Sequence, residues 1–262
     1  ARRNKLGENV RKKGNAQKSL VYASREVHTW LEKATDLAGI GTSAIRYIPT
    51  DSSGCLNIKL LRERIICDLV DGYKPFMVIG NAGTVSTGAI DPLAEIADVC
   101  RDFDLWFHVD GAYGAFAAML PEYNDLRQGM MQADSIAVDP HKWLYAPLEA
   151  GCLLVRDTTY LTDTFAYHPA YYQHDTGMDT SPSYYEQGPQ NSRGFRALKI
   201  WLALQHIGRK GYEDLLRQNI AIARTLYDGI ATKKSLEAVS HNLSIVTFRY
   251  VPSDLNPHDE AV

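Results

Sequence analysis

Short β-branched or aromatic runs alternate with longer stretches of helical spacing along most of this chain, and that alternation restricts the fold more than any other feature. It is the pattern of βαβ units wound around a mostly parallel sheet flanked by helices, an α/β architecture. Ser19–Ala23, Phe76–Ile79, Leu105–Val109, Ser135–Val138 and Cys152–Val155 read as strands. Arg25–Leu37 reads as a helix stopped by Gly39 and Gly41, and Lys59–Val70 places Leu60, Leu61, Ile65, Ile66 and Leu69 at helical spacing. Asp91 is expected to cap a further helix with Pro92 in its first turn, where proline costs no hydrogen bond. Arg193–Ile207 follows, with Phe195, Leu198, Trp201 and Leu202 expected inward, and then Tyr212–Ile230, with Leu216, Ile220, Ala223, Tyr227 and Ile230 inward. Leu243–Tyr250 alternates like a half-buried strand. It is expected to open a smaller C-terminal α+β domain, which places a large domain over residues 1–235 and the start of a second over 236–262.

Composition narrows the class of partner. Lys+Arg 28 nearly balance Asp+Glu 31, so neither nucleic acid nor an anionic membrane is expected. No apolar run approaches the roughly 18 residues of a membrane helix. The basic stretch Ala1–Lys18 lacks a signal peptide's apolar core. Cys55, Cys67, Cys100 and Cys152 are scattered, without a CxxC pair, and read as buried reduced thiols of a cytoplasmic protein. Absence of an initiator Met leads us to expect a piece of a longer protein. Tyr167–Pro189, rich in Tyr, Gly, Pro, Ser, Asp and Gln and without a period, reads as a functional or mobile loop.

In an open α/β sheet, ligands sit beyond the carboxyl ends of the strands. Those ends carry reactive side chains here. Trp106-Phe107-His108-Val109-Asp110 ends in an acid. Ser135–Val138 runs into Asp139-Pro140-His141-Lys142-Trp143, and Phe76–Ile79 leads to Asn81, Gly83 and Thr84. A lysine and an aspartate meeting over a planar aromatic cofactor is what pyridoxal phosphate needs. The amine forms an imine, and the carboxylate keeps the pyridine nitrogen protonated so that the ring accepts electrons. Taken singly, these residues have plainer readings: Asp110 as a helix cap, His28 as a capping or core histidine, His108 as a packed strand residue, His174 as a solvated loop residue. Arg193 and Arg196 fit structural salt bridges. No HExxH and no GxGxxG occurs, which sets aside zinc-protease and dinucleotide chemistry.

The strings HVDGAYG (His108–Gly114), DPHKW (Asp139–Trp143) and GNAGTVSTGAIDP (Gly80–Pro92) resemble the signature of the group II pyridoxal-phosphate-dependent amino-acid decarboxylases, of which aromatic-L-amino-acid decarboxylase is one. Ser24–His28 and SRGFRALKIW (Ser192–Trp201) match in the same order. The resemblance implies the large domain of the PLP-dependent transferase-like, aspartate aminotransferase type I fold, with pyridoxal 5'-phosphate as cofactor and a homodimer as the assembly. It implies that Lys142 holds the cofactor as a Schiff base, that Asp110 pairs with the pyridinium nitrogen, and that Ala112 packs against the ring. His28 would stack on the opposite face and help hold the substrate carboxylate or position a proton. His141 would sit near the phosphate, and Thr84 would line the pocket. Tyr171, on the long loop, would return a proton once carbon dioxide leaves.

Three departures bear on the match. Relatives begin with a small-residue phosphate cradle upstream and continue into a C-terminal domain, and both are expected outside this sequence. Val85 stands where many relatives carry a hydroxyl, and Ser192 where some aromatic-specific ones carry Gly. The expected reaction is decarboxylation of an L-amino acid, an aromatic one, to its amine. An aldehyde synthase, a decarboxylase of a non-aromatic substrate such as glutamate, and a non-catalytic fragment are the alternatives; Tyr171 favours decarboxylation over the synthase, whose relatives carry Phe there.

Overall fold

A computed structural model describes residues 18–167 and 183–252. Its centre is a six-stranded sheet of β1 (Ser19–Ser24), β2 (Ile45–Ile48), β3 (Lys74–Asn81), β4 (Trp106–Asp110), β5 (Ser135–Val138) and β6 (Cys152–Val155). The spatial order is β2-β1-β3-β4-β5-β6. Pairings from β2 to β5 are parallel, and β6 closes that edge antiparallel to β5. Every residue of β1 is buried, as a strand covered on both faces requires. Strand order reverses between β1 and β3, which opens a crevice at the carboxyl ends.

Helices α1 (Trp30–Leu37), α2 (Ile58–Val70), α3 (Leu93–Asp102), α4 (Asn124–Met130) and α5 (Thr159–Phe165) follow in chain order, and α6 (Arg196–Ala231) is the longest. The larger core packs Leu61 and Ile65 of α2 and Ile96 and Val99 of α3 against Leu20, Tyr22, Val78 and Phe107 of the sheet. A smaller cluster on the other face joins Leu31 of α1 to Val21, Ala23, Ile45, Phe76 and Ile79. Beneath β2 lies a closed polar knot: Asp68, fully buried, accepts from Tyr22 Oη at 3.0 Å, Arg46 Nε at 3.2 Å and Arg64 Nη2 at 2.9 Å. Burial works against its charge, but the bonds from Arg64, Tyr22 and Arg46 outweigh it and hold the carboxyl below its ordinary value. A separate hairpin, β7 (Leu236–Asn242) and β8 (Ile245–Tyr250), packs on α6.

Several sequence expectations change. α1 begins at Trp30 rather than Arg25 because residues 25–29 turn, with Val27 N–H bonded to the Ser24 carbonyl. Asp91 does not cap α3, whose N-cap is Pro92. Its buried carboxylate instead accepts from Leu56 N (2.7 Å), Asn81 N (2.7 Å) and Asn81 Nδ2 (2.8 Å). The two expected helices after residue 193 run together as α6 across a kink at Gly208, whose φ of 68° is easy only for glycine. Phe195, Leu198, Trp201 and Leu202 are exposed, not inward. β8 starts at Ile245, since Leu243 takes a positive φ in the hairpin turn. Of the four cysteines, all free, only Cys100 is buried, and Cys67 is exposed. Arg196 pairs with Glu149 at 2.7 Å, whereas Arg193 donates to the Tyr184 carbonyl. No helix among the described residues is long and apolar enough to cross a membrane.

Candidate active site

The carboxyl ends of β3, β4 and β5 meet around a cleft of about 810 Å³. Parallel register places Asn81, the last residue of β3, opposite Asp110, the last of β4. Asp91 then ties Asn81 down through both its backbone and side-chain nitrogens, and Asn81 Nδ2 also reaches Ser24 Oγ at 3.1 Å. Burial pushes the Asp91 carboxyl up, against the pull of the Asn81 and Leu56 donors. Beyond β4 the chain must pass close to β3. Gly114 N donates to the Ala82 carbonyl at 3.0 Å, and a Cβ at Gly114 would lie 2.3 Å from that oxygen. Only glycine fits there.

Lys142 sits on the turn after β5, its backbone N–H bonded to the Asp139 carbonyl at 2.8 Å. Neighbouring residues fasten the turn. Trp143 is buried, stacks on Tyr113 with ring centroids 4.7 Å apart, and donates Nε1 to Asn219 Oδ1 at 2.9 Å. Tyr212 Oη donates to the Leu144 carbonyl at 3.0 Å. The lysine side chain is left 42% exposed, and its Nζ pairs with Asp139 Oδ2 at 3.0 Å. An amine held on a rigid turn yet open to the cleft is placed to react with a carbonyl compound.

His28, Thr84, Asp110, Ala112 and Lys142 all line this one cleft. Asp110 Oδ1 accepts the Ala112 N–H at 3.1 Å. His28 lies in the turn before α1, exposed, with Nδ1 accepting Trp30 N–H at 3.1 Å, so its capping and site positions coincide. The Thr84 hydroxyl is engaged within its own loop, 2.9 Å from Thr87 Oγ1 and accepting Ala89 N–H at 3.1 Å. His141 is not among the residues that line the cleft: its Nδ1 lies against the Ala150 backbone and its Nε2 is 3.8 Å from Asp139. Tyr171 and His174 lie outside the described residues.

Residues without a role in the sequence reading also shape the site. Trp30, Tyr113, Leu153 and Ile245 give it apolar walls, and Asp139 supplies the lysine's ion partner. The acid three residues before Lys142 was a usable signal for that pair. Nothing local marked Ile245, which the hairpin brings from far along the chain. A second cavity of about 400 Å³ adjoins the cleft and shares His28, Trp30, His108, Asp110 and Leu153 with it.

An amine, a carboxylate and small or apolar walls in one cleft fit a planar, electron-accepting aldehyde cofactor of the pyridoxal phosphate kind. Comparison with known proteins agrees. Residues 1–251 match the pyridoxal-dependent decarboxylase conserved domain. An aromatic-L-amino-acid decarboxylase of Bacillus atrophaeus is 37% identical over 261 residues, 99% of this chain and 53% of that protein. Among solved structures, mouse CSAD superposes with a TM-score of 0.91 at 31% identity, over 99% of this chain and 55% of that one. Oryza sativa TDC with PLP and tryptamine superposes with a TM-score of 0.85 at 32% identity, over 92% of this chain and 51% of that one. The chain thus spans about half the length of the relatives it matches. With this signature and the Lys142–Asp110 cleft in hand, the chain belongs to the pyridoxal-dependent decarboxylase family.

Proposed function

We propose that the protein to which this chain belongs removes the α-carboxylate of an L-amino acid, an aromatic one, releasing the amine and carbon dioxide. The observation that carries this reading is the shared cleft of Lys142 and Asp110 at the ends of adjacent parallel strands. Pyridoxal phosphate, when bound, supplies the ring that takes up the electron pair left by the departing carboxylate. Lys142 is the amine that would hold it. The Asp110 carboxylate would keep a proton on the pyridine nitrogen, and Ala112 and His28 would confine the ring. His28 would also orient the substrate carboxylate. Thr84 and His141 are assigned to the pocket wall and the phosphate end. Tyr171 is assigned the return of a proton to the substrate Cα, which calls for an acid within hydrogen-bond reach of that atom. Trp30, Tyr113, Leu153 and Ile245 offer an apolar wall suited to a side-chain ring.

The same reading places the protein in the cytoplasm as a homodimer, and sets the end of the large domain near residue 235. It is tested by reconstituting the full-length protein with pyridoxal phosphate, supplying a mixture of L-amino acids and identifying products by mass spectrometry. One accumulating aromatic amine, lost in Lys142→Ala, is the expected outcome. Aldehyde with hydrogen peroxide would overturn the reaction while keeping the cofactor. No product together with no visible absorbance would overturn the enzymatic reading.

A further inference from the structure

We propose that His108 is a positioning residue for Asp110, its single proton locked onto Nε2 by a relay that runs from Trp106 through Ser135. The inference rests on the functional reading above, because it concerns how the carboxylate facing the cofactor is held. Trp106, His108 and Asp110 alternate along β4 and so point to one face of the sheet. Ser135, at the start of β5, is paired with His108 in the register. Trp106 Nε1, which can only donate, lies 2.8 Å from Ser135 Oγ. The same oxygen lies 2.8 Å from His108 Nδ1.

The direction of the second bond follows from counting hydrogens. Ser135 is buried, 6% exposed, and its hydroxyl has no further bond among the described residues. If His108 donated from Nδ1, the hydroxyl hydrogen would be left buried without an acceptor, at a cost of about 1–3 kcal/mol. The hydroxyl therefore donates to Nδ1, and the ring proton resides on Nε2. Burial, acting against the pull of the Asp110 charge and the Ser135 bond, pushes the imidazole's pKa below its ordinary value, so the ring stays neutral.

A neutral ring with Nδ1 occupied has one polar group left, the Nε2–H. His108 and Asp110 line both the cleft and the adjoining cavity. No bond among the described residues engages Asp110 Oδ2, while Oδ1 takes the Ala112 N–H. A donor rather than a lone pair beside this carboxylate can bond the second oxygen and so fix how the carboxylate faces the cleft. The other titratable or charged groups that line these two cavities with His108 and Asp110 are His28 ahead of α1, Tyr113 after β4, Asp139 and Lys142 after β5, and Tyr160 on α5.

The tautomer can be read without the cofactor. Full-length protein labelled with 15N-histidine would be examined by two-bond 1H–15N correlation, with His108 assigned through His108→Asn. Wild type is expected to show a neutral Nε2–H ring at about pH 7 and above, because burial holds the imidazole's pKa below its ordinary value. Ser135→Ala is expected to mix the tautomers, to weaken pyridoxal phosphate binding roughly tenfold and to shift the pH midpoint of the bound cofactor's absorbance. Ser135→Thr, which keeps the hydroxyl, is expected to restore both. Should Ser135→Ala fail to fold, Ser135→Cys, whose thiol is of similar size but a much weaker donor, is expected to mix the tautomers as well. An Nδ1–H tautomer in wild type, or a wild-type absorbance profile in the folded variants, would overturn the relay. If wild type binds no cofactor, the functional reading fails instead, and the tautomer spectrum alone decides the relay.

Discussion

Two sets of charges in this molecule differ in how completely the chain satisfies them. Asp68, beneath β2, is fully enclosed and held by Arg46, Arg64 and Tyr22. Tyr73 adds its ring to the same knot, 5.0 Å from the Arg46 guanidinium. At the carboxyl ends of β4 and β5, Asp110 accepts the Ala112 N–H and Lys142 pairs with Asp139 among the described residues, and both open onto a cleft. The first arrangement spends every bond inside the fold. The second keeps an amine and a carboxylate oxygen for something else, as expected where a ligand completes the bonding.

If the contrast is sound, mutations in the two regions should fail in different ways. The largest effect belongs to the cleft: Lys142→Ala should abolish covalent attachment of pyridoxal phosphate and amine production while leaving thermal unfolding of the cofactor-free protein close to wild type. A calorimetric scan paired with a visible spectrum separates these. Asp68→Ala should do the reverse. Removing one partner of a buried ion pair costs about 3–5 kcal/mol, so denaturant unfolding should shift strongly, and whatever protein remains folded should keep its cofactor spectrum. Loss of the spectrum at unchanged stability would break the comparison.

Acid should reveal the same division. The folded-state pKa of Asp68 lies below its ordinary value of 3.8. A depressed carboxyl contributes stability that is present above the unfolded value and is lost as pH falls through the folded one. Wild type should therefore lose stability as pH drops below about 4, and Asp68→Asn, less stable at neutral pH, should show a flatter acid limb. The smallest stability change is expected for Asp139→Asn. Its partly exposed pair with Lys142 is worth about 1 kcal/mol at most, but freeing the ammonium should quicken trapping of the lysine by pyridoxal phosphate, measured by stopped-flow absorbance.

Much of this was legible in the sequence because period and position carry the information. β1, β3, β4, β5 and β6 announce themselves as short apolar runs, and strand ends locate Asp110 and Lys142 without any coordinates. β2 (Ile45–Ile48) escaped because Arg46 and Tyr47 break its apolar run, and β7 because Glu237, Ser240 and His241 do the same. Asp91 was misread for a different reason. An acid before proline at a helix start is a strong local capping signal, yet the carboxylate turned to three nitrogens from Leu56 and Asn81, contacts that only the folded sheet creates. Phe195, Leu198, Trp201 and Leu202 have the spacing of a buried helix face, and periodicity reports an apolar stripe without saying what covers it. The His108 relay depends on parallel register between β4 and β5, which no local pattern encodes.

The most direct test of the central claim is to find where the cofactor bonds. Full-length protein loaded with pyridoxal phosphate would be reduced with borohydride, digested and mapped by mass spectrometry. The phosphopyridoxyl mass is expected on the peptide holding Lys142, and on no other lysine at stoichiometric level. Stoichiometric label on a different lysine, or none on a protein that nonetheless releases the amine, would contradict the assignment of this cleft as the cofactor site.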